Sequence, residues 1–436
     1  MVHNKKAFRP RHGNNNHSFL PLPATFSRIN QRKKFPVVLI GALLIWFFFN
    51  PFTFFSSLFT KPTIRSYSPP HPYSSDQLIE TQSRFIYPPV EHADSLKQLG
   101  ISKLVLQFTQ AGSDKTELKP LAVMDDPDVN VQKAKEEEQN AKDILMNAKN
   151  HFKNQDKVVY RPKSLANYPD VVIVTAIDFN KYSLDGLTKI VQNRVDYAYH
   201  QKYGVYVRWA AEFIPQLGSM GALNEEQKAK WVRLFCLQAA RLAFPHTKWF
   251  WYLDENALLM DMSISIDKIL LSPESLNKQM LRDQPLIPPH GLIKTYKSTK
   301  AEGIKLIVTQ SDKMIETNSF FVKNDAFGKA LIEIWSDPLY KNYPSFPHGP
   351  DSALTHMLQW HPFVLSKTAI VRAKLIAASH DTTTTTNNNN NNKNVAKSET
   401  YENGDLVAQW SSCKGSEECE AILNVYSGKK SKNEKV

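Results

Sequence analysis

Cysteine is scarce, with three in 436 residues. Cys236 lies in an amphipathic stretch and reads as a buried thiol. Cys413 and Cys419 stand six positions apart in a polar stretch, where an oxidising compartment would permit a disulfide. No second Cys or His pair has ligand spacing, which argues against a zinc site. Acid is absent from residues 1–34, which hold Lys5, Lys6, Arg9, Arg11, Arg28, Arg32, Lys33 and Lys34. All charge is then absent from Phe35 to Thr60, a run of 26 residues. The body lacks the basic excess that nucleic-acid binding needs. Of the net charge of +12, the first segment carries +8 and the tail Lys429, Lys430, Lys432, Glu434 and Lys435 carries +3, leaving +1 for residues 35–428. No nucleic-acid partner is expected.

The uncharged run contains Val37-Val38-Leu39-Ile40 and Trp46-Phe47-Phe48-Phe49. A bilayer span needs about 20 apolar residues, and Pro36, Asn50 and Pro51 are tolerable within one. The basic flank precedes the span, so residues 1–34 are expected on the cytosolic side and the body in the lumen. The run exceeds the roughly 7–15 residues of a cleaved leader and no A-x-A site follows it. It therefore reads as a signal-anchor over 35–60, the plan of a type II Golgi membrane enzyme.

Residues 61–165 read as a luminal stem, Pro- and Ser-rich at first and charged from Val131 to Lys157. From Asp170 the pattern changes. Val171 to Ile177 is a buried strand by composition, closed by Asp178. Leu184 to Lys202 follows as a helix, with Gly204 placed to end it, and Val205 to Trp209 is the next strand. Glu225 to Phe244 is an amphipathic helix with Trp231, Phe235, Ala239 and Leu242 on one face. Such alternation is a nucleotide-binding α/β half, and residues 166–428 make one domain. Thr382 to Asn394 is low-complexity, so 381–398 reads as a disordered insert. A basic tail occupies 429–436.

The most informative run is Trp249-Phe250-Trp251-Tyr252-Leu253-Asp254-Glu255-Asn256-Ala257-Leu258-Leu259-Met260. Apolar residues lead straight into acids, and a carboxylate at the carboxyl end of a buried strand lies where α/β sheets open their ligand crevice. Asp-x-Asp at such a place holds a divalent metal and a diphosphate in sugar-nucleotide transferases. Here Asn256 takes the second position.

Six pieces in order then resemble glycosyltransferase family thirty-four, over about Asp170 to Tyr426. They are Asn193-Arg194-Val195-Asp196-Tyr197-Ala198 with Tyr203-Gly204; Trp231-Val232-Arg233, similar to a Trp-x-Lys; the Trp249–Met260 strand; Ile307–Gln310 with Asn318–Asn324; Pro350-Asp351-Ser352-Ala353-Leu354 with His361-Pro362; and Gly404–Val407 with Cys413-Lys414. The resemblance implies a GT-A-like nucleotide-sugar transferase domain, a Rossmann-like mixed α/β sheet behind a single transmembrane helix. It also implies a divalent cation (Mn²⁺ or Mg²⁺) and retention of configuration. Its nearest subgroup, the α-1,6-mannosyltransferase subunits of the Golgi mannan polymerase, implies GDP-mannose as donor and an N-glycan mannan as acceptor. That subgroup further implies other polymerase subunits as partners in a hetero-oligomer on the cis-Golgi membrane.

Carried onto this chain, the metal ligands are Asp254, Asn256 and Gln409, the last in place of a family His. A neutral amide gives a divalent ion far less than a carboxylate. Three readings stand: Glu255 has taken over as ligand; the ion rests on Asp254, diphosphate and water; or the chain is a weak partner of a sister transferase. Asp254 and Asp351 are the catalytic candidates, Asp351 lying where the family contacts acceptor and sugar. Lys414 is either a phosphate contact or a surface lysine. Arg194 faces the nucleotide or solvent, and Asp178 contacts base or ribose or caps a helix. The alternatives to mannosyl transfer are a non-catalytic scaffold subunit and an α-galactosyltransferase of the same family.

Overall fold

The computed structural model describes residues 84–88, 90, 93–98, 105–109, 116–120, 160, 162, 164–213, 225–286, 291–311, 314–343, 345–380 and 399–433. The chain divides into Met1–Thr63 and Ile64–Val436, and every described residue belongs to the second unit. The expected tail at 1–34, the span at 35–60, most of the stem and the insert at 381–398 lie outside the described residues. Among the described residues no helix is long and apolar enough to cross a membrane.

The main sheet has seven strands: β1 (Phe85–Ile86), β2 (Val171–Ile177), β3 (Gly204–Trp209), β4 (Trp249–Leu253), β6 (Leu306–Gln310), β7 (Ile315–Lys323) and β8 (Thr368–Val371), in the spatial order β1-β3-β2-β4-β7-β6-β8. β5 (Ala257–Leu259) lies outside it, in a three-stranded sheet with β10 (Val407–Gln409) and β9 (Ala378–Ser379). β1, β3, β2 and β4 run parallel, β7 is antiparallel to both β4 and β6, and β8 is parallel to β6. The sheet is thus mixed, as expected. Residues 105–109 and 116–120 form a separate hairpin.

Strand alternation builds two cores. Val171, Ile173 and Ile177 point to one face, against α1 (Leu184–Gln201) and α5 (Gly415–Asn433). Val172, Val174 and Ala176 point to the other, against α2 (Glu225–Ala243), α3 (Ala326–Trp335) and α4 (Pro350–Trp360). A sheet buried on both faces needs continuous apolar strands, which is why Val171–Ile177 reads without polar alternation. Trp251 stacks on its cross-strand neighbour Phe321 at 4.9 Å, and its Nε1 donates to Ser319 Oγ at 2.9 Å.

Three expectations need correction. Lys202, at φ 61°, caps α1, and Gly204 instead opens β3; a Cβ there would lie 2.9 Å from Val172 Cγ2. Leu242 is exposed at the last turn of α2, away from the core its helix face predicts. Part of the expected stem belongs to the body: Phe85 and Ile86 extend the sheet, and Val90, Ala93 and Leu96 are buried in the core. The described residues on either side of 381–398 pair with each other, Ser379 N donating to Glu399 O at 2.9 Å and Tyr401 N to Ser379 O at 2.8 Å.

Gly328, in the first turn of α3, allows a very close backbone approach. A Cβ at this position would stand 1.9 Å from Lys323 O, at the end of β7. Gly328→Ala should therefore destabilise the body by about 1–3 kcal/mol through overpacking, read as a lower urea midpoint at an unchanged slope.

Candidate active site

Asp254 follows the last residue of β4, at the carboxyl end of the parallel strands. Its backbone is held on both sides: its N–H donates to Asn318 O at 2.8 Å, and its carbonyl accepts from Arg194 Nη2 at 2.9 Å. Its Oδ1 accepts from Asn256 N at 3.0 Å, so the side chain closes its own turn. The neighbouring Asn193 donates through Nδ2 to Leu259 O at 2.8 Å and accepts from Leu259 N at 2.9 Å. The Asn-Arg pair of α1 therefore clamps both ends of the segment from Asp254 to Leu259.

Arg194 is fully buried and does not face an open crevice. Its Nη1 donates to Ile190 O at 3.2 Å and Asn193 Oδ1 at 3.3 Å. Burial pulls its guanidinium down to about 10, with Asp254 opposing. Its place is beneath the site, where it positions Asp254.

Asp351, in the first turn of α4, is buried as well. Its Oδ1 accepts from Thr317 N at 3.0 Å and from the Thr317 hydroxyl, and lies 3.5 Å from Arg233 Nη1. Arg233 reaches from α2 between the two acids. Nη1 donates to Thr317 Oγ1 at 2.6 Å, Nη2 to Asn318 Oδ1 at 3.3 Å, and Nη2 stands 3.7 Å from Asp254 Oδ2. The antiparallel β7 makes this possible, since its beginning lies beside the end of β4. One guanidinium thus joins Asp254, β7 and Asp351.

Glu255 turns the other way. Its Oε2 accepts from Asp178 N at 2.7 Å and its Oε1 pairs with Lys181 Nζ at 3.3 Å, so its carboxylate serves the loop after β2. Asp178 Oδ1 accepts from Asn180 N at 2.8 Å, closing that loop's turn rather than capping α1; Ser183 is the α1 cap.

Asn256 belongs to a buried relay. Trp410 Nε1 donates to Tyr182 Oη at 3.0 Å, and Tyr182 Oη donates to Asn256 Oδ1 at 2.7 Å. Because the tyrosine hydroxyl already accepts, its own proton requires an acceptor, which fixes the amide oxygen of Asn256 toward it. Gln409 pairs with Ala257 in the small sheet, one position beyond Asn256. Its Nε2 donates to Ser411 Oγ, while its buried Oε1 has no hydrogen-bond partner among the described residues. Lys414 is exposed, and its backbone N–H donates to Glu418 Oε2 at 2.8 Å. Cys413 and Cys419 form a disulfide that fastens this loop to α5, and Cys236 is a buried free thiol.

The structure therefore gathers Asp254, Asn256 and Gln409 at one strand end, joins Asp351 to them through Arg233, and sets Arg194 below. Among the described residues no group of three His, Cys, Asp or Glu is placed to hold a metal. The roles of Arg233 and Thr317 escape a reading of the sequence alone. The trace of the first was Trp231-Val232-Arg233, where a cation stood at a family lysine.

Burial pushes the Glu255 carboxyl from 4.5 up to about 7, opposed by Lys181 and assisted by Asp178 and Asp254. The folded chain then binds a proton that the unfolded chain has released. This contribution to stability is complete below 4.5 and is lost as pH rises through about 7, amounting to at most about 3 kcal/mol. Glu255→Gln should flatten the pH dependence of the melting temperature across that window in metal-free protein. An unchanged slope would place the titration elsewhere.

Asp254 at the carboxyl end of β4, with Arg233 reaching from it to Asp351, is the acid that the end of a parallel strand offers in this α/β protein. The chain belongs to the galactosyl transferase GMA12/MNN10 family, a glycosyltransferase family whose model matches residues 167–420. It is 34% identical to the "Probable alpha-1,6-mannosyltransferase MNN11" of Saccharomyces cerevisiae over 88% of this chain and 87% of that one. It is 26% identical to the "Uncharacterized alpha-1,2-galactosyltransferase C8D2.17" of Schizosaccharomyces pombe, over 62% of this chain and 78% of that one. The "Probable alpha-1,6-mannosyltransferase MNN10" of Saccharomyces cerevisiae is 22% identical over 45% of this chain and 48% of that one.

Proposed function

We infer that the chain is an α-1,6-mannosyltransferase that extends the mannan backbone of N-linked glycans from GDP-mannose, retaining configuration. The observation that carries this reading is Asp254, held through its backbone at the end of β4 with its carboxylate directed at Arg233. It is supported by the 34% identity to a relative named for α-1,6-mannosyl transfer. The basic segment 1–34 followed by the uncharged run at 35–60 supports reading the enzyme as a type II protein of the Golgi membrane, with its body in the lumen.

The residues fit a weakly held cation. Asp254 offers one carboxylate, Asn256 a second lone pair on its amide oxygen, and Gln409 a buried oxygen without a partner. A Mn²⁺ or Mg²⁺ ion held there would neutralise charge on the leaving diphosphate. The chain's own part is to fix that carboxylate against β7 and to aim cations at the developing charge. Lys181, paired with Glu255, is the nearer candidate cation, and Lys414 precedes α5, whose Ser416 Oγ donates to Lys181 O at 2.6 Å. Asp351 is bound to Arg233 on the acceptor side.

Transfer assays with the full-length chain in detergent test this reading. With an α-mannoside acceptor, GDP-mannose should be used and UDP-galactose refused, and the product should carry an α-1,6 bond. Galactose transfer would move the chain to the galactosyltransferase branch. A second reading, a supporting subunit beside a sister transferase with a fuller metal site, is favoured by the two neutral amides at Asn256 and Gln409. Asn256→Asp with Gln409→His should then tighten Mn²⁺ binding at least several-fold, since charged contacts outweigh neutral ones. Equal affinity in parent and double variant would remove both positions from the ligand set.

A further inference from the structure

We propose that Arg233 is the resident cation of the site, and that it makes capture of a divalent ion conditional on the donor diphosphate. The proposal rests on the metal and donor reading above and goes beyond it, to the order in which the two ligands are held.

Arg233 has a side chain 3% exposed and cannot disperse its charge into water. Its two Nη atoms stand 3.7 Å from Asp254 Oδ2 and 3.5 Å from Asp351 Oδ1. Thr317 Oγ1 accepts from Nη1 at 2.6 Å while its hydroxyl donates to Asp351, and the guanidinium carbon lies 5.7 Å from the centre of the Tyr252 ring. These contacts fix the fork against β7, so it does not swing aside when a metal arrives.

A buried guanidinium at this distance offsets the negative charge of the one carboxylate in the inferred ligand set. Asn256 and Gln409 add no charge to restore it. Arg233 shares its single positive charge between Asp254 and Asp351, so a divalent ion entering alone would meet one ligand carboxylate whose charge is partly offset by a fixed positive group behind it. A diphosphate brings negative charge of its own. It supplies the ion with further oxygens and gives Arg233 an additional anion to face. Mg²⁺ and Mn²⁺ commonly bind through one or two carboxylates plus substrate phosphates. In this chain the fixed charge of Arg233 strengthens that habit into a requirement. Asp351 moderates the effect by drawing part of the guanidinium's field toward α4.

Arg233 is a positioning residue in this account, acting through Asp254 rather than by touching the reacting atoms. Mn²⁺ binding to the full-length protein, followed by the electron paramagnetic resonance of free Mn²⁺ with and without GDP, reads the effect independently of activity. The wild-type chain should bind Mn²⁺ weakly alone and at least tenfold more tightly with GDP. R233Q removes the charge and, being shorter, also gives up the Nη contacts to Thr317 and Asn318. It should bind Mn²⁺ alone about tenfold more tightly than wild type, with a smaller gain from GDP. R233K should keep the wild-type pattern. D351N, which turns the guanidinium wholly toward Asp254, should weaken Mn²⁺ binding without GDP several-fold, and it decides the matter if R233Q does not fold.

If GDP tightens Mn²⁺ as expected but R233Q and D351N leave the Mn²⁺-only affinity unchanged, the role of Arg233 is overturned while the metal and donor reading stands. If none of these proteins takes up Mn²⁺ even with GDP, the metal reading itself falls and the inference falls with it.

Discussion

Asp254→Ala should lower mannosyl transfer by at least about 100- to 1,000-fold, the scale on which loss of one preorganised electrostatic group acts. The fold should survive. The backbone of residue 254 is pinned by Asn318 O and by Arg194 Nη2, and neither contact uses the side chain. What alanine removes is the acceptor for Asn256 N at 3.0 Å, a loss of about 1 kcal/mol, and the carboxylate facing Arg233. Asp254→Asn is the sharper variant, because its amide oxygen can still close the turn while the charge is gone. Both should melt close to wild type and both should lose transfer. Transfer at wild-type rate by either variant within its native assembly would show that another subunit performs the chemistry.

Arg194→Ala should be the most destabilising single change at the site. It leaves the Asp254 carbonyl without its donor, about 1–3 kcal/mol. It also opens a cavity where a fully buried side chain stood, bringing the total to about 3 kcal/mol or more. Arg194→Met separates these effects, since it fills most of the volume and removes only the polar contacts. Urea denaturation should rank the chains as wild type, then Met, then Ala. GDP affinity should fall only as far as the strand end loosens. A methionine variant of full stability that no longer binds GDP would instead make Arg194 a nucleotide contact, one of the two readings its sequence left open.

The contrast between these residues shows how far the chain could be read without its structure. Strands such as Val171–Ile177 and Trp249–Leu253 announce themselves, because burial on both faces forces unbroken apolar runs. Asp254 is legible for the same reason, being the first acid after such a run. Arg194 and Arg233 look alike in sequence, two arginines on amphipathic helices, and nothing local separates them. Only the turn each helix presents to the sheet sends one beneath Asp254 and the other between Asp254 and Asp351. The contribution of β7 was hidden for a further reason. Thr317 and Asn318 reach the site because β7 runs antiparallel to β4, and strand direction is a long-range property that no short motif encodes. Phe85–Ile86 was likewise lost in a Pro- and Ser-rich context, since a two-residue strand on a sheet edge carries too little pattern to be seen. The Cys413–Cys419 bridge was open on spacing alone and became definite once α5 carried Cys419 back toward the loop.

The pairing of the residues that flank 381–398 bears on how much the length between them matters to the fold. Glu399 and Tyr401 bind the backbone of Ser379 directly, so the described residues on either side of 381–398 are fastened to each other. Closing a flexible loop costs only about 0.6 kcal/mol for each doubling of its length. On that scaling, a chain shortened between His380 and Glu399 should melt close to the parent, because the pairing of Ser379 with Glu399 and Tyr401 keeps β9 and β10 in place.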